Sequence, residues 1–145
     1  MPNPLVAQGS LSRLRASITW TSFPALNVTA SFLAKEGIRL TLQGGSVTYI
    51  PTMTGQVTSP EIYMEAECTI NLLKSQSLAN LYKKQMELNA LLGDCTIRPD
   101  AVPLSPYSII NSSVKSIREL DFSGENASFS VQIGGYYLVN SFLFA

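Results

Sequence analysis

Residues 54–94 read TGQVTSPEIYMEAECTINLLKSQSLANLYKKQMELNALLGD, and a change of period inside that stretch decides the fold. Ile62, Met64, Ala66, Cys68, Ile70 and Leu72 alternate with Glu61, Tyr63, Glu65, Glu67, Thr69 and Asn71. A period of two sends the first set to one face and the second to the other, which predicts a long strand buried on one side only. The period then lengthens. Leu78, Leu81, Tyr82, Gln85, Leu88 and Leu91 recur at steps of three and four, the stripe of an amphipathic helix over about residues 76–92. Ser75 or Ser77 is placed to cap its start, and Gly93 to end it in the left-handed conformation. No other stretch reads convincingly as a helix.

On either side of this unit the chain alternates in short runs. Residues 13–20 place Leu14, Ala16, Ile18 and Trp20 against polar neighbours and predict a strand. Residues 26–32 predict a second, after the break at Pro24. Residues 34–37 read as a turn, followed by a strand through Ile38, Leu40 and Leu42. Gln43, Gly44, Gly45 and Ser46 then suit a tight hairpin, because glycine accepts the positive φ angles such a turn needs. Val47 to Ile50 returns, and residues 51–60 read as a loop rich in Thr, Gly, Ser and Pro. After the helix, residues 96–98 predict a short strand and residues 107–120 a bulged one. Residues 127–133 alternate again, and Gly134-Gly135 marks a bulge or a close backbone approach before a last extended segment. The result is a mainly β fold with roughly seven to nine strands. Two antiparallel sheets would form a sandwich or a partly closed barrel, with one flanking helix and a long protruding hairpin. Residues 1–145 make one domain, and residues 1–12, with Pro2, Pro4 and Gly9, read as an extended arm.

Charged residues are only 14% of the chain against a usual share of roughly 25%, while hydrophobic residues reach 46%. Ser, Thr, Asn and Gln fill the gap, which fits either Ser/Thr-rich strand faces or a surface covered by other subunits. Ten basic and ten acidic residues leave no net charge. That argues against a dedicated nucleic-acid binder and favours association over a free monomer. Cys68 falls on the apolar face of its strand and predicts a buried thiol, and two cysteines make no disulfide framework. The first twenty residues lack the apolar core of a secretory leader, and no run approaches a membrane span of roughly 20 apolar residues.

The chain contains no histidine. The commonest general base, the Ser-His and Cys-His pairs and the commonest metal ligand are therefore missing, and the sequence predicts neither an enzyme, a metal site nor a cofactor. The one acidic cluster is Glu61, Glu65 and Glu67 on a single strand face. Such a cluster can be a solvated face, an acid/base pair or a cation site. It can also become the wall of a channel if strands from several subunits join into a ring; an acidic wall would let DNA slide without sticking. Thr69 and Asn71 continue that face. Arg13 and Arg15 are placed to pair with Glu65 or Glu67.

Three segments carry a family resemblance: SFPALNVTASFLAKEGIRLTL at 22–42, TMTGQVTSPEIYM at 52–64 and TINLLKSQSLANLYKKQMELNALLGDC at 69–95, together with the closing VQIGGYYLVNSFLF. In order, length and texture the chain resembles the tail tube proteins of contractile-tailed bacteriophages, a fold shared by the type VI secretion tube protein. The resemblance implies hexameric rings stacked into a hollow tube, with strands lining the lumen and the helix outside. It implies a virion location after assembly in the host cytoplasm. Its partners would be further copies of itself and the sheath, tape-measure, baseplate and tail-terminator proteins, with DNA only as passing cargo. The lumen face would then be Glu61, Glu65, Glu67, Thr69 and Asn71, and the hairpin at Gln43, Gly44, Gly45 and Ser46 would reach the next ring. Two alternatives stand beside it. One is another virion or secretion-system assembly protein that closes into a single ring. The other is a soluble ligand-binding β-barrel.

Overall fold

A computed structural model describes residues 16–99, 104–118, 122 and 124–143. Its strands are β1 (Ala16–Trp20), β2 (Leu33–Gln43), β3 (Val47–Pro51), β4 (Gln56–Pro60), β5 (Tyr63–Leu73), β6 (Leu91–Pro99), β7 (Tyr107–Arg118) and β8 (Ser128–Leu138), and its helix is α1 (Ser77–Leu88). Six strands form one antiparallel sheet in the order β1-β6-β7-β8-β5-β2, curled into a half-barrel. β3 and β4 pair only with each other, as a separate two-stranded ribbon. The mainly β, partly closed barrel, with one flanking helix among the described residues, is thus the fold the chain adopts. The proposed arm at residues 1–12 and the arginines at 13 and 15 lie outside the described residues.

The alternation in β5 works as read. Ala66, Cys68, Ile70 and Leu72 are buried, and the residues between them are not. β5 pairs with β8 over eleven consecutive positions, from Tyr63↔Leu138 to Leu73↔Ser128, without a shift. On its other side β2 pairs in register from Ile38↔Ile70 to Gln43↔Glu65.

The helix is shorter than its stripe. Leu78, Ala79 and Tyr82 are buried and Met86 packs beside them, but α1 stops at Leu88, which is 85% exposed, and Leu91 already belongs to β6. Gln76 stands at the N-cap with no side-chain bond, so neither serine caps the helix. Gly93 has φ +82° as expected of it, yet it serves a bulge in β6. That bulge also explains why β6 was legible only in its last third. Its inward residues Leu92, Cys95 and Ile97 are spaced three and then two apart, which hides the period.

Three other expectations change. Residues 26–32 are not a strand. Pro24 starts a 3₁₀ turn, Pro24–Leu26, and a second follows at Ala30–Phe32. Between them Val28 exchanges two 2.9 Å hydrogen bonds with Ile18, covering the outer edge of β1. Residues 34–37 are not a turn but a bulge within β2, where Gly37 takes φ +68°. Finally, Gly44-Gly45 does not close a hairpin between β2 and β3, because β3 leaves the sheet and pairs with β4 instead. Residues 44–46 instead lead out of the sheet into the ribbon, and the stretch read as a loop contains β4. The ribbon turns at residues 52–55, where Thr52 N–H bonds Gly55 O at 2.8 Å.

The core lies between the apolar sheet face and α1. Its polar link is a short relay: Trp20 Nε1–H donates to Tyr82 Oη at 3.0 Å, and Tyr82 O–H donates to Leu26 O at 2.6 Å. One helix residue therefore ties the β1 edge to the first 3₁₀ turn. Tyr82→Phe leaves the indole donor and the Leu26 carbonyl buried without partners, and should cost about 1–3 kcal/mol. Urea unfolding followed by fluorescence of Trp20, the single tryptophan, measures it; a loss below about 0.5 kcal/mol would show that the relay contributes little.

A second expected contrast concerns the glycine pair. A Cβ on Gly135 would lie 2.5 Å from Ile109 Cγ2 and 3.0 Å from Ile110 O, whereas one on Gly134 would meet only Lys115 Cδ at 3.5 Å. Gly135→Ala should destabilise by about 1–3 kcal/mol through overpacking, and Gly134→Ala by much less. Equal urea midpoints for the two variants would refute this assignment.

Candidate functional site

β5 brings Glu65, Glu67, Thr69 and Asn71 together on the face opposite the core, and the registers extend that face across the sheet. Gln43, Glu65, Tyr136 and Ile110 form one row. Arg39, Thr69, Gln132 and Ser116 form another, and Asn71 and Ser130 lead to Arg118. The rows are stitched laterally. Ser130 Oγ donates to Asn71 Oδ1 at 2.8 Å, Asn71 Nδ2 to Gly37 O at 3.0 Å, and Ser116 Oγ to Gln132 Oε1 at 3.1 Å.

This face is not an acidic wall. Lys115 sits at the irregularity between Val114 and Ser116, crosses Gly134 and places its Nζ 3.8 Å from Glu67 Oε2. Gln43 Nε2 donates to the same carboxylate oxygen. Arg39 and Arg118 stand on the same side. Glu61 does not join the cluster at all: it precedes β5 at the ribbon's root, where its carboxylate accepts a 2.8 Å hydrogen bond from Thr48 Oγ1.

The second candidate surface is the ribbon. Residues 44–60 carry no charge. Tyr49 pairs with Thr58 and Ile50 with Val57, so neighbouring pairs point to opposite faces and apolar side chains stand exposed on both. Met53 at the turn is fully exposed. Around the root the exposed apolar surface continues through Ile62, Tyr63, Leu138, Phe142 and Leu143, with Tyr63 against Tyr136 at a ring separation of 5.6 Å. Of the expected hairpin residues, Gly44 has φ +80° and Ser46 O accepts hydrogen bonds from Glu61 N–H and Asn140 Nδ2. Asn140 gave no sequence signal beyond its type, one of the few that tolerate a positive φ.

A third feature is a cleft of about 1100 Å³ at the open side of the half-barrel. Among the described residues it is lined by Leu33, Ile38 and Leu40 of β2 and by Ala16, Ile97 and Tyr107 across the gap. β2 forms one edge of the sheet there, with no strand on its outer side among the described residues.

No group of three or more Cys, Asp or Glu among the described residues is arranged to hold a metal ion. Nor does any helix there have the length and apolarity to cross a membrane. Both cysteines are free and buried. Burial, with a smaller contribution from Cys95, pushes the Cys68 thiol up to about 12, and burial raises Cys95 as well. A thiol held neutral is a poor nucleophile. No known family model and no curated protein matches this chain.

These shifts fix the alkaline behaviour. Well below pH 9 the Cys68 thiol is neutral in both folded and unfolded chains. From there to about pH 12 the unfolded chain releases the proton while the folded chain keeps it, so stability falls with rising pH. Tyr82, raised chiefly by burial, adds to the fall. Urea midpoints should therefore drop steadily from pH 8.5 to 11. Native Cys68 should resist thiol reagents at pH 8. A flat profile, or rapid labelling of the folded protein, would contradict the placement of these groups.

Proposed function

We propose that this chain is a structural subunit that assembles with copies of itself into stacked rings, forming a hollow tube of the phage-tail kind. The ribbon carries the reading. A two-stranded ribbon alone is at best marginally stable in water, yet β3–β4 has an uncharged sequence and exposed apolar side chains on both faces. Surfaces of that kind belong in an interface. The unpaired edge of β2 gives a second place to add a neighbour, by extending the sheet. Copies joined at two different patches meet head to tail, a heterologous contact that makes rings or open filaments.

On this reading the face bearing Glu65, Glu67, Thr69 and Asn71 lines the lumen, and the ribbon, entered through residues 43–46, reaches the next ring. The lumen passes DNA as cargo, and the sheath, tape-measure, baseplate and tail-terminator proteins are the further partners. The cleft beside β2 favours a second reading, a ligand-binding half-barrel, because a hollow of this size, with apolar walls and the polar groups of Ser31, Lys35 and Glu36, can take a small molecule.

Negative-stain electron microscopy of the purified protein separates the two. The expected result is long hollow tubes or stacked rings at high concentration, lost in an Ile50→Ser/Val57→Ser variant that keeps the wild-type circular dichroism spectrum. Single closed rings would point to a non-tubular assembly protein. A monomer at every concentration would overturn the assembly reading in favour of the ligand-binding one.

A further inference from the structure

The ribbon joins the sheet only through residues 44–46 and 61–62, and it has no core of its own to fix its direction. Its direction is set at the root. Asn140 Nδ2 donates to Ser46 O at 2.8 Å and to Glu61 O at 2.6 Å. Glu61 N–H donates to the same Ser46 O at 2.9 Å, and Thr48 Oγ1 donates to Glu61 Oε1 at 2.8 Å. One carboxamide thus ties the strand-out and strand-in connections together and holds both to the segment after β8. Val139 N–H bonds Ile62 O at 3.0 Å, one step beyond the last β5–β8 pair, and so delivers Asn140 to the root. There the backbone turns into the left-handed region at φ +54°, which asparagine accepts more readily than most residues. Leu143 N–H bonds Asn140 O at 3.0 Å, closing a turn that carries exposed Phe142 and Leu143.

We propose that Asn140 is a positioning residue for self-assembly: it locks the ribbon and the 140–143 turn into one rigid prong that engages a second copy of this chain. The proposal rests on the assembly reading above and adds the residue on which that contact depends. A prong already held in its bound direction loses little freedom on docking, whereas an unlatched ribbon has to be ordered each time a copy is added. The chemistry of the latch is specific. Both acceptors are carbonyl oxygens, so the group between them must be a donor. Asparagine has two N–H donors on one nitrogen; an aspartate of the same shape has none and would repel both oxygens. Glycine at this position would keep the backbone turn and lose the latch.

The test compares wild type with Asn140→Asp and Asn140→Gly in three measurements. In unassembled protein, hydrogen exchange at the Glu61 amide should speed up about tenfold or more in both variants. The critical concentration for sedimentable tubes should rise by about the same factor. The urea midpoint reported by Trp20, in the core away from the root, should stay close to wild type, which separates positioning from general stability. Unchanged exchange would overturn the latch. Faster exchange with an unchanged critical concentration would overturn its role in assembly. Wild-type protein that never sediments as tubes would refute the assembly reading itself, while the exchange rates would still decide whether Asn140 holds the ribbon.

Discussion

The unshifted ladder between β5 and β8 is the constraint from which the rest follows. Eleven pairs hold one register, and a slip of a single residue would turn Glu65 and Glu67 into the core and Cys68 and Ile70 out of it. With the register fixed, Gly134 comes opposite Glu67 and Gly135 opposite Ala66. The two glycines therefore serve opposite faces. On the core side Gly135 lets Ile109 and Ser112 of the bulged β7 close in. On the polar side Gly134 leaves room for Lys115 to lie across the strand toward Glu67. A side chain at the first would push the sheet apart, and one at the second would crowd only a flexible lysine. The same ladder, carried one bond further by Val139 and Ile62, sets Asn140 beside the ribbon.

Against this rigid centre the two sides of the sheet are finished differently. The β1 edge is covered: Val28 bonds Ile18, Asn27 Oδ1 takes the Trp20 amide at 2.8 Å, and Tyr82 joins Trp20 to Leu26. The β2 edge is left without a strand among the described residues. It is blunted only along its first half. It has a bulge at residues 34–37 and the charges of Lys35, Glu36 and Arg39, but no proline, and beyond the bulge it runs straight from Ile38 to Gln43. An edge of that kind accepts a further strand wherever its neighbours' charges match.

What could be read from the sequence follows from how much each element depends on its own neighbours in the chain. β5 was legible because its alternation is unbroken and its two faces differ in chemistry. Of the glycine pair, Gly135 was legible as a close approach, because a Cβ there would lie 2.5 Å from Ile109 Cγ2. β6 was not, since the bulge at Gly93 breaks its period. Residues 26–32 alternate as a strand would, yet Pro24 and the Asn27 side chain draw the backbone into turns. β3 was legible as a strand, but as the return of a hairpin with β2; its actual partner β4 reads as loop because it is short and rich in Thr, Ser and Pro. For the candidate site, the grouping of Glu65, Glu67, Thr69 and Asn71 on one face was legible from periodicity alone. The neutralisation of Glu67 was not: Lys115 lies 48 positions away, and only the β7 irregularity brings it there.

That neutralisation changes what the polar face would do in the proposed tube. A uniformly acidic lumen repels a polyanion, but it also makes each copied subunit repel its neighbours, and the cost grows with every ring added. Here Lys115 meets Glu67 within 4 Å, and Arg39 and Arg118 share the face with Glu65. With both signs present on one face, the field of the carboxylates is partly cancelled away from the wall, and salt screens what remains. Stacking such faces brings no large repulsion. A passing phosphate backbone meets no stripe of cations long enough to release counterions and bind. A charge-balanced wall therefore meets both demands that an acidic one sets against each other: copies can pack closely, and cargo can pass without adhering.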